Sequence, residues 1–332
     1  MKNYRLLTLF CGCGGLDLGF VGDFDFLGKH YKKHDIEIVY ASDINEPACK
    51  TYNYNFEHKC VCKDICDEDP ELLPDCDIVI GGFPCQDFSL AGNRKGFAAD
   101  RGILYKQMMR IVEAKKPKVF VAENVEGITI RIDDYVPIDI ITNDFKSIGY
   151  SVKYKLLNAA DYGVPQVRKR VIIIGVRNDI KDEFSYPAPT VSKWVSVKEG
   201  IDDLWDLLDT GKVANHTSKD YSRAKFYPDG KGQGNRLLVA DEPSCTIRAE
   251  HHGNIEGHYR TYDENNRSDV TKWRRLSVRE CARIQSFPDN FIFPVSASSA
   301  YRQIGNAVAP VFAWHVANSI IEFLKKAEKG NK

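Results

Sequence analysis

The first 180 residues alternate short apolar runs with stretches of helical spacing, and this alternation constrains the fold more than any other feature. Several of the apolar runs are apolar almost throughout, as is typical when helices cover both faces of a parallel sheet. The predicted strands, rich in Val, Ile and Tyr and bounded by Gly, Pro or Asp, are Leu6–Phe10, Glu37–Ala41, Asp77–Gly81, Lys118–Ala122, Val152–Leu157 and Val171–Val176. The predicted helices between them are Glu46–Asn53, Gly102–Ala114 and Asp133–Ile148. The pattern predicts an α/β protein with a doubly wound, mostly parallel sheet.

The character of the chain changes near residue 186. From about Tyr186 to Trp273 it is rich in Pro, Gly, Asn, His and charged residues, and helical periodicity is weak apart from Val197–Leu208. We therefore expect a second, smaller and irregular domain. A last helix, about Ala309–Lys326, has apolar residues at helical spacing and is expected to pack back on the first domain. The predicted boundaries are 1–185 plus 296–332 for the first domain and 186–295 for the second.

Composition indicates a globular chain, with 43% apolar and 28% charged residues among 332. No run of 18 or more apolar residues occurs, so no membrane-spanning helix is expected. The apolar run Leu6–Phe10 is too short for a signal peptide. These features favour a cytoplasmic location.

Eight of the ten cysteines fall within the first 85 residues. Without a signal peptide, reduced thiols are favoured over a disulfide scaffold. Cys60, Cys62 and Cys66, together with His58, form a cluster that could bind zinc. The spacing has no Cys-x-x-Cys pair and no second half-site, so buried free thiols and no metal are expected.

The formal net charge is zero, with 46 basic and 46 acidic residues, but the charges are unevenly distributed. Residues 1–100 have a balance of −7, whereas residues 211–284 have a balance of +4 and hold four of the eight histidines. A phosphate-facing cleft needs only a local basic surface. Neutrality therefore does not exclude a polyanion as partner.

A glycine-rich turn follows the first predicted strand, with the sequence Cys-Gly-Cys-Gly-Gly-Leu at 11–16. Such glycines allow a tight turn and close approach to a ligand. The dinucleotide pattern would need glycine where Asp17 stands, so a pyrophosphate clamp is not indicated. The next strand ends at Asp43, which could accept hydrogen bonds from ribose hydroxyls. Together the two features favour a nucleoside cofactor, with an ordinary glycine-rich loop as the alternative.

Strand 77–80 runs into Gly-Gly-Phe-Pro-Cys-Gln at 81–86. Active sites assemble at the carboxyl ends of parallel strands. Pro84 restricts the approach to Cys85, whose thiol could act as a nucleophile if its pKa is lowered. A buried small residue is the alternative, and the rigid strand-end context favours the nucleophile.

Six sequence blocks occur in order between residues 8 and 310. They are Phe-Cys-Gly-Cys-Gly-Gly-Leu at 10–16, Gly-Phe-Pro-Cys-Gln at 82–86, Glu-Asn-Val at 123–125, Gln-Val-Arg-Lys-Arg at 166–170, Arg-Leu-Ser-Val-Arg-Glu-Cys-Ala-Arg-Ile-Gln at 275–285 and Gln-Ile-Gly-Asn-Ala-Val at 303–308. Together these blocks resemble those of the DNA (cytosine-5)-methyltransferases of bacterial restriction–modification systems. The resemblance implies the S-adenosyl-methionine-dependent methyltransferase fold.

The catalytic roles are those that the resemblance implies. Attack by the Cys85 thiolate on carbon 6 of cytosine would create an enamine-like ring that accepts a methyl group at carbon 5. Glu123, protonated or sharing a proton with ring nitrogen 3, would stabilise the developing charge. Arg170 would donate to the cytosine carbonyl oxygen, and Arg168 would support the pocket. Without the other blocks, Glu123 would be interpreted as a helix-capping or surface acid, and Arg168 and Arg170 as part of a solvated basic turn.

The implied methyl donor is S-adenosyl-L-methionine, with S-adenosyl-L-homocysteine as product. Asp43 would bind the ribose and Asp64 the adenine amino group. Family members often carry an aromatic residue at the position of Ile44. An isoleucine there would stack more weakly on the adenine. The implied cofactor-binding residues are Phe10, Gly12, Gly14, Leu16, Asp43, Ile44, Asp64, Ile65, Leu104 and Asn306.

The implied substrate is a cytosine in double-stranded DNA, which must be flipped out of the helix because stacking hides its ring faces. Ser89–Asp100 is expected to be a loop that closes over the base, or a plain surface loop. Residues about 185–272 would be the target-recognition region. There Gln233 would fill the space of the flipped base, Arg236 would contact a guanine edge and Thr246 would contact a phosphate; a simple exposed turn is the alternative for the first two.

Three other functions are weighed against this interpretation. RNA methyltransferases of the family that act on transfer RNA carry a Cys-Phe-Thr tripeptide, which is absent here. Intact Cys85, Glu123 and Arg170 argue against a catalytically silent DNA-binding protein, and Asp17 argues against a nicotinamide oxidoreductase. We further expect a monomer with no membrane partner, functionally paired with a restriction endonuclease without a stable complex.

Overall fold

The centre of the computed structural model is a seven-stranded sheet in the order β5-β4-β1-β6-β7-β9-β8. The structure describes residues 3–84, 104–132, 134–220, 235–249 and 257–330. Within these residues the strands are β1 (Tyr4–Leu9), β2 (Phe24–Phe26), β3 (Lys29–Tyr31), β4 (Ile36–Asp43), β5 (Val61–Cys62), β6 (Ile78–Gly81), β7 (Val119–Val125), β8 (Tyr150–Asn158), β9 (Lys169–Arg177), β10 (Asn235–Leu237), β11 (Gly257–Arg260) and β12 (Arg274–Arg275).

The sheet is mostly parallel. Strand β1 pairs in parallel with β4 and β6, and β6 pairs in parallel with β7. Only β9 runs antiparallel to its neighbours β7 and β8 in this sheet. In the register, Leu9 lies opposite both Ser42 and Gly81, and Gly81 lies opposite Ala122. The carboxyl ends of four strands therefore meet at one edge, which confirms the predicted fold class.

Helices cover both faces of the sheet. The described α-helices are α1 (Gly15–Val21), α2 (Glu46–Asn55), α3 (Leu104–Lys115), α4 (Pro137–Ser147), α5 (Val197–Ile201), α6 (Val278–Ile284), α7 (Ala297–Asn306) and α8 (Pro310–Gly330). On β1, Leu6 belongs to the apolar cluster shared with α1 and α8, whereas Leu7 belongs to the cluster shared with α3 and α4. Adjacent strand residues thus face opposite apolar layers, which explains why the strand is apolar throughout.

Helix α1 packs unusually close to α8. A Cβ atom on Gly19 would lie 2.3 Å from the Cβ of Ala313 and 2.6 Å from the carbonyl oxygen of Pro310. Glycine at position 19 therefore sets the distance between the two helices, and through α1 it sets the position of the glycine-rich turn that precedes it.

All six predicted strands are present, each with slightly different bounds. The predicted helix Glu46–Asn53 extends to Asn55, and the last helix runs from Pro310 to Gly330. Of Gly102–Ala114 the described part is α3, and Asp133–Ile148 corresponds to α4, which begins at Pro137. Val197–Leu208 is only partly α-helical, since a 3-10 segment, Asp202–Leu207, follows α5.

The segment after residue 185 contains a second, three-stranded sheet in the order β10-β11-β12. Buried apolar residues of α5, α6 and α7, among them Ile201, Ile284 and Ile304, form a cluster of their own. The division at residues 186 and 295 stays a prediction.

One stretch, Ala297–Gly330, is long and apolar enough to cross a membrane by length and composition. It comprises α7 and α8, and 72% of its most apolar window is buried inside the protein. A core helix of a soluble protein passes the same test.

Candidate active site

A cavity of about 700 Å³ opens at the edge where the parallel strands end. Its wall draws on residues from Thr8 near the start of the chain to Val308 near its end. The predicted site residues that line it are Phe10, Gly12, Leu16, Asp43, Ile44, Asp64, Ile65, Leu104, Glu123, Arg168, Arg170 and Asn306. Residues that the sequence blocks place far apart are thus brought to one cavity.

The turn after β1 has a left-handed backbone. Phe10, Gly12 and Gly14 have φ angles of 53°, 56° and 91°, a conformation that glycine adopts without strain. The turn directs the N–H of Gly12 toward the end of β4, where it donates to Oδ2 of Asp43 at 2.8 Å. The glycine-rich sequence therefore positions the acid as well as the turn.

Asp43 is held by a second backbone donor, since the N–H of Asn45 reaches its Oδ1 at 2.8 Å. Burial raises the pKa of Asp43, and these backbone hydrogen bonds partly offset that effect. The carboxylate is fixed in orientation while each oxygen keeps acceptor capacity for a ligand hydroxyl.

Gly14 does not line the cavity among the described residues. A Cβ atom there would lie 2.3 Å from the Phe56 ring, so the glycine makes room for an aromatic pair formed by Phe56 and Tyr52. A direct cofactor contact by Gly14 stays a prediction.

Asp64 and Ile65 lie at a 3-10 turn on the far side of the cavity from β7. Oδ1 of Asp64 accepts the N–H of Cys66 at 2.9 Å, and Ile65 is buried. Ile44, by contrast, is 67% exposed at the cavity mouth, where an apolar ligand surface could cover it.

Glu123 and Arg170 form an ion pair inside the cavity. Nε of Arg170 lies 2.8 Å from Oε1 of Glu123, and the two side chains are 12% and 10% exposed. They are brought together because β7 and β9 pair antiparallel, with Val125 opposite Arg170. A carboxylate and a guanidinium fixed side by side can together recognise a planar polar group.

Arg168 is fully buried and points into the protein. Its guanidinium donates to the carbonyl oxygens of Ile247 at 2.9 Å, Gly305 at 2.8 Å and Ala307 at 2.9 Å. Burial lowers its pKa well below the usual value. The side chain thus joins the start of β9 to two distant segments.

Cys85 lies outside the described residues, but the strand that leads to it does not. A Cβ atom on Gly82 would lie 3.1 Å from Oε2 of Glu123. The side-chain amide of Asn124 donates to the carbonyl oxygen of Phe83 at 3.0 Å. Glu123 and Asn124 therefore pack against the segment that ends in Pro84, immediately before Cys85.

Of the predicted DNA-binding residues, Gln233 lies outside the described residues, as does the Ser89–Asp100 segment. Arg236 is exposed on β10, opposite His258 of β11. The Thr246 hydroxyl donates to the carbonyl oxygen of Val167 at 2.7 Å. A phosphate contact through that proton would have to replace this hydrogen bond.

The Arg-Glu-Cys-Ala-Arg block has a structural explanation. Buried Glu280 accepts hydrogen bonds from Arg274 at 2.7 Å and Arg260 at 3.0 Å. Both guanidinium groups also lie over the Trp205 ring, at 4.1 and 4.6 Å from its centroid. The block thereby anchors the small sheet that carries Arg236.

The nine described cysteines are free thiols. Cys60 is buried and lies 3.3 Å from Cys11 and 3.4 Å from Cys49, sulfur to sulfur. Cys62 and Cys66 are exposed, so the expectation of buried thiols is wrong for these two residues. Within the described ranges, no group of three or more His, Cys, Asp or Glu side chains could hold a metal ion.

Several cavity residues were not singled out from the sequence. Thr8 of β1, Asp17 of α1, and Ser299 and Arg302 of α7 line the cavity. Asn124 stands in one of the six sequence blocks, which was the available signal. The other residues reach the cavity through the packing of β1, α1 and α7.

Comparisons with known proteins identify the family. The family model for the C-5 cytosine-specific DNA methylases matches residues 4–322. The chain belongs to that family. It is a DNA (cytosine-5) methyltransferase of the Type II restriction–modification kind.

Two bacterial relatives illustrate the similarity. The Type II methyltransferase M.NgoFVII of Neisseria gonorrhoeae is 36% identical, over 96% of this chain and 86% of its own length. M.FnuDI of Fusobacterium nucleatum is also 36% identical, over 99% and 97%.

Solved structures support the fold. The methyltransferase EhMeth of Entamoeba histolytica superposes with a TM-score of 0.73 at 19% identity, covering 98% of this chain and 99% of that one. The Dnmt2 methyltransferase of S. pombe gives a TM-score of 0.63 at 20% identity, covering 98% and 99%.

Proposed function

We propose that this methyltransferase transfers a methyl group from S-adenosyl-L-methionine to carbon 5 of a cytosine flipped out of a specific short duplex site, through a covalent adduct with Cys85. The observation that carries the proposal is the Glu123–Arg170 ion pair, which faces the strand end leading to Cys85. It shares one cavity with Asp43 and Asp64.

The described cavity residues suit the cofactor. Bound S-adenosyl-methionine supplies an electrophilic methyl group on a positively charged sulfur. Asp43, with both oxygens oriented by backbone N–H groups, suits ribose hydroxyls as acceptors. The half-exposed carboxylate of Asp64 and the buried side chain of Ile65 would hold the polar edge and the face of adenine, and Leu104 and Asn306 would enclose the ligand.

Each step of the reaction on cytosine would be carried out by a different side chain of the protein. The Cys85 thiolate would attack carbon 6, forming the sulfur–carbon bond and moving electron density to carbon 5. Glu123 would meet ring nitrogen 3 and the exocyclic amine, while Arg170 would donate to the carbonyl oxygen where charge develops. After methylation, a base would take the carbon-5 proton, and the electron pair left behind would expel Cys85 as a thiolate and restore the aromatic ring.

Recognition is assigned to residues 186–295. Arg236 is exposed on β10 of the small sheet, which suits a contact to a guanine edge, and Gln233 would fill the gap left by the base. We further propose that the enzyme is a cytoplasmic monomer. It would protect DNA from a paired restriction endonuclease without forming a stable complex with that endonuclease.

The decisive experiment incubates the purified protein with labelled S-adenosyl-methionine and mixed-sequence duplex DNA, then maps methylated cytosines by bisulfite sequencing. Label at carbon 5 of one short sequence is expected. Absence of transfer to any duplex would refute the proposal. Cys85→Ser should abolish transfer while DNA binding persists, and retained turnover would refute the nucleophile assignment.

A further inference from the structure

Asp17 is a buried carboxylic acid in the wall of the proposed cofactor cavity, and none of its surface is exposed. The Tyr52 hydroxyl donates to Oδ1 at 3.0 Å. Oδ2 has no hydrogen-bond partner within the described part of the chain, and no described Lys or Arg forms an ion pair with the group. An acid in this state is costly to bury, so its presence calls for a functional explanation.

The position of Asp17 follows from the fold. Helix α1 continues from β1, which lies in the sheet between β4 and β6, with β7 next in order. β4 ends at Asp43 and β7 carries Glu123, so Asp17 lies between the proposed ribose end and the proposed cytosine end of the cavity. The cofactor sulfur is bonded to the ribose carbon 5′ and carries the methyl group, so it must lie between the same two ends.

We propose that Asp17 makes the enzyme favour the positively charged S-adenosyl-methionine over its uncharged thioether product, S-adenosyl-homocysteine; the proposal rests on the proposed function. The two ligands differ by a methyl group and by one positive charge on sulfur. Two unit charges separated by about 10 Å interact by about 1–2 kcal/mol at an effective dielectric constant of about 20, so a carboxylate at that range from the sulfur would favour the charged ligand roughly tenfold. Asp17 is therefore a positioning residue that acts through its charge.

The charge state of Asp17 fits this role. Burial raises its pKa to about 7, while the hydroxyls of Tyr52 and Thr8 lower it; the Thr8 hydroxyl is close but makes no hydrogen bond of ordinary geometry. Burial also raises the pKa of the neighbouring thiols of Cys11 and Cys13 to about 12, and of Tyr52 well above its usual value, so these groups stay neutral.

Asp43 is the other acid acting on Asp17, and its charge raises the Asp17 pKa. A cation bound nearby favours the ionised form of Asp17, so binding of S-adenosyl-methionine releases a proton near neutral pH. The affinity for S-adenosyl-methionine should therefore rise with pH through this range more than the affinity for the product does.

The test is calorimetric titration of the full chain with each ligand at pH 6 and pH 8, for the natural protein and for Asp17→Asn. The ratio of the two dissociation constants at pH 8 should fall about tenfold in the variant, and the extra pH dependence for S-adenosyl-methionine should disappear. A ratio unchanged by the substitution overturns the inference.

Tyr52→Phe is the second variant. It removes the hydroxyl that lowers the Asp17 pKa, so the pH at which S-adenosyl-methionine affinity rises should move upward. This variant also tests the inference if Asp17→Asn does not fold. If the pH dependence of S-adenosyl-methionine affinity does not move, the inference is contradicted. If the natural protein binds neither ligand, the proposed cofactor is wrong; if it binds both and the ratio is insensitive to Asp17, only this inference is wrong.

Discussion

At the scale of single residues, the ion pair between Glu123 and Arg170 is the feature most specific to the proposed chemistry. Two opposite charges in a recess cost desolvation energy, and the pair is held by strand pairing rather than by flexible loops. Such an arrangement is better explained by recognition of a polar ring than by stability.

Glu123→Gln tests this interpretation. The amide keeps the size of the side chain but cannot share a proton with ring nitrogen 3, so the rate of methyl transfer should fall about 10²–10⁴-fold. Single-turnover transfer of labelled methyl groups measures the effect, with DNA binding as a separate readout. Glu126→Gln, a control on the exposed side of the same segment, should leave the rate within about twofold.

Asp17 makes a second residue-scale prediction, for the protein without cofactor. Its pKa is about 7 in the folded state against a usual value of 3.8, so the folded protein keeps the proton over a range where the unfolded chain has lost it. The free energy of unfolding should therefore fall as the pH rises from about 4 to 7, by about 1–4 kcal/mol. Asp17→Asn should remove most of that decline, as measured by urea unfolding across pH; an equal decline in both proteins would contradict the assigned pKa.

At the scale of elements, the packing of α1 on α8 sets the position of the glycine-rich turn. Gly19→Ala would force a Cβ to within 2.3 Å of Ala313, so the helices must separate. We expect a loss of about 1–3 kcal/mol in the free energy of unfolding together with weaker S-adenosyl-methionine binding. Gly127→Ala is a matched control, because its nearest contact would be an ordinary 3.7 Å.

The second prediction at this scale concerns Arg168, whose hydrogen bonds connect β9 to two distant segments of the chain. Arg168→Met would leave the carbonyl oxygens of Ile247, Gly305 and Ala307 without this donor. A loss of about 3–5 kcal/mol in the free energy of unfolding is expected. Thermal unfolding measures it, and a variant as stable as the natural protein would show that these bonds contribute little.

Most of the sheet could be predicted from the sequence because its strands are continuous apolar runs, a signal that does not depend on distant contacts. Helices α1 and α7 could not be predicted in the same way. Helix α1 begins inside a glycine-rich segment that favours a turn, and Gly305 of α7 is required because its Cβ would lie 2.2 Å from the backbone of Arg248. Such requirements are tertiary and leave no local pattern.

The site shows the same division. Glu123 and Arg170 were identified because they stand in recognisable blocks, and Asp43 because it ends a predicted strand next to the glycine-rich turn. Asp17 was noted only as a departure from the dinucleotide pattern, since nothing in the sequence shows that its side chain is buried beside the cavity. The free thiols were predicted, but the burial of Cys60 and the exposure of Cys62 and Cys66 were not distinguished, because Cys60 is covered by Cys11 and Cys49, which are distant in the sequence.

At the scale of the whole molecule, zero net charge combines an acidic segment, residues 1–100, with a basic segment, residues 211–284. Nonspecific attraction to DNA should therefore be modest, and the affinity for DNA should depend on a few locally placed Lys and Arg side chains. Arg236→Ala should cost about 1–3 kcal/mol on the recognised site if the side chain reads guanine. Competition binding on matched and single-mismatch duplexes measures this; a uniform loss on all sequences would instead assign Arg236 to a phosphate.

Lys325→Ala is the control for that experiment. Lys325 lies on α8, where it pairs with Asp35 at 2.7 Å and does not line the cavity. The substitution changes the net charge as Arg236→Ala does, so equal effects of the two would mean that only total charge matters.

The three carbonyl oxygens that satisfy Arg168 bear on how the protein matures during translation. Two of them belong to Gly305 and Ala307, which are made after more than nine-tenths of the 332 residues. A chain emerging from the ribosome carries the arginine long before these acceptors exist. Methylation competence should therefore arise in a single late step, and a ribosome stalled before residue 305 should display a chain that is inactive and sensitive to protease.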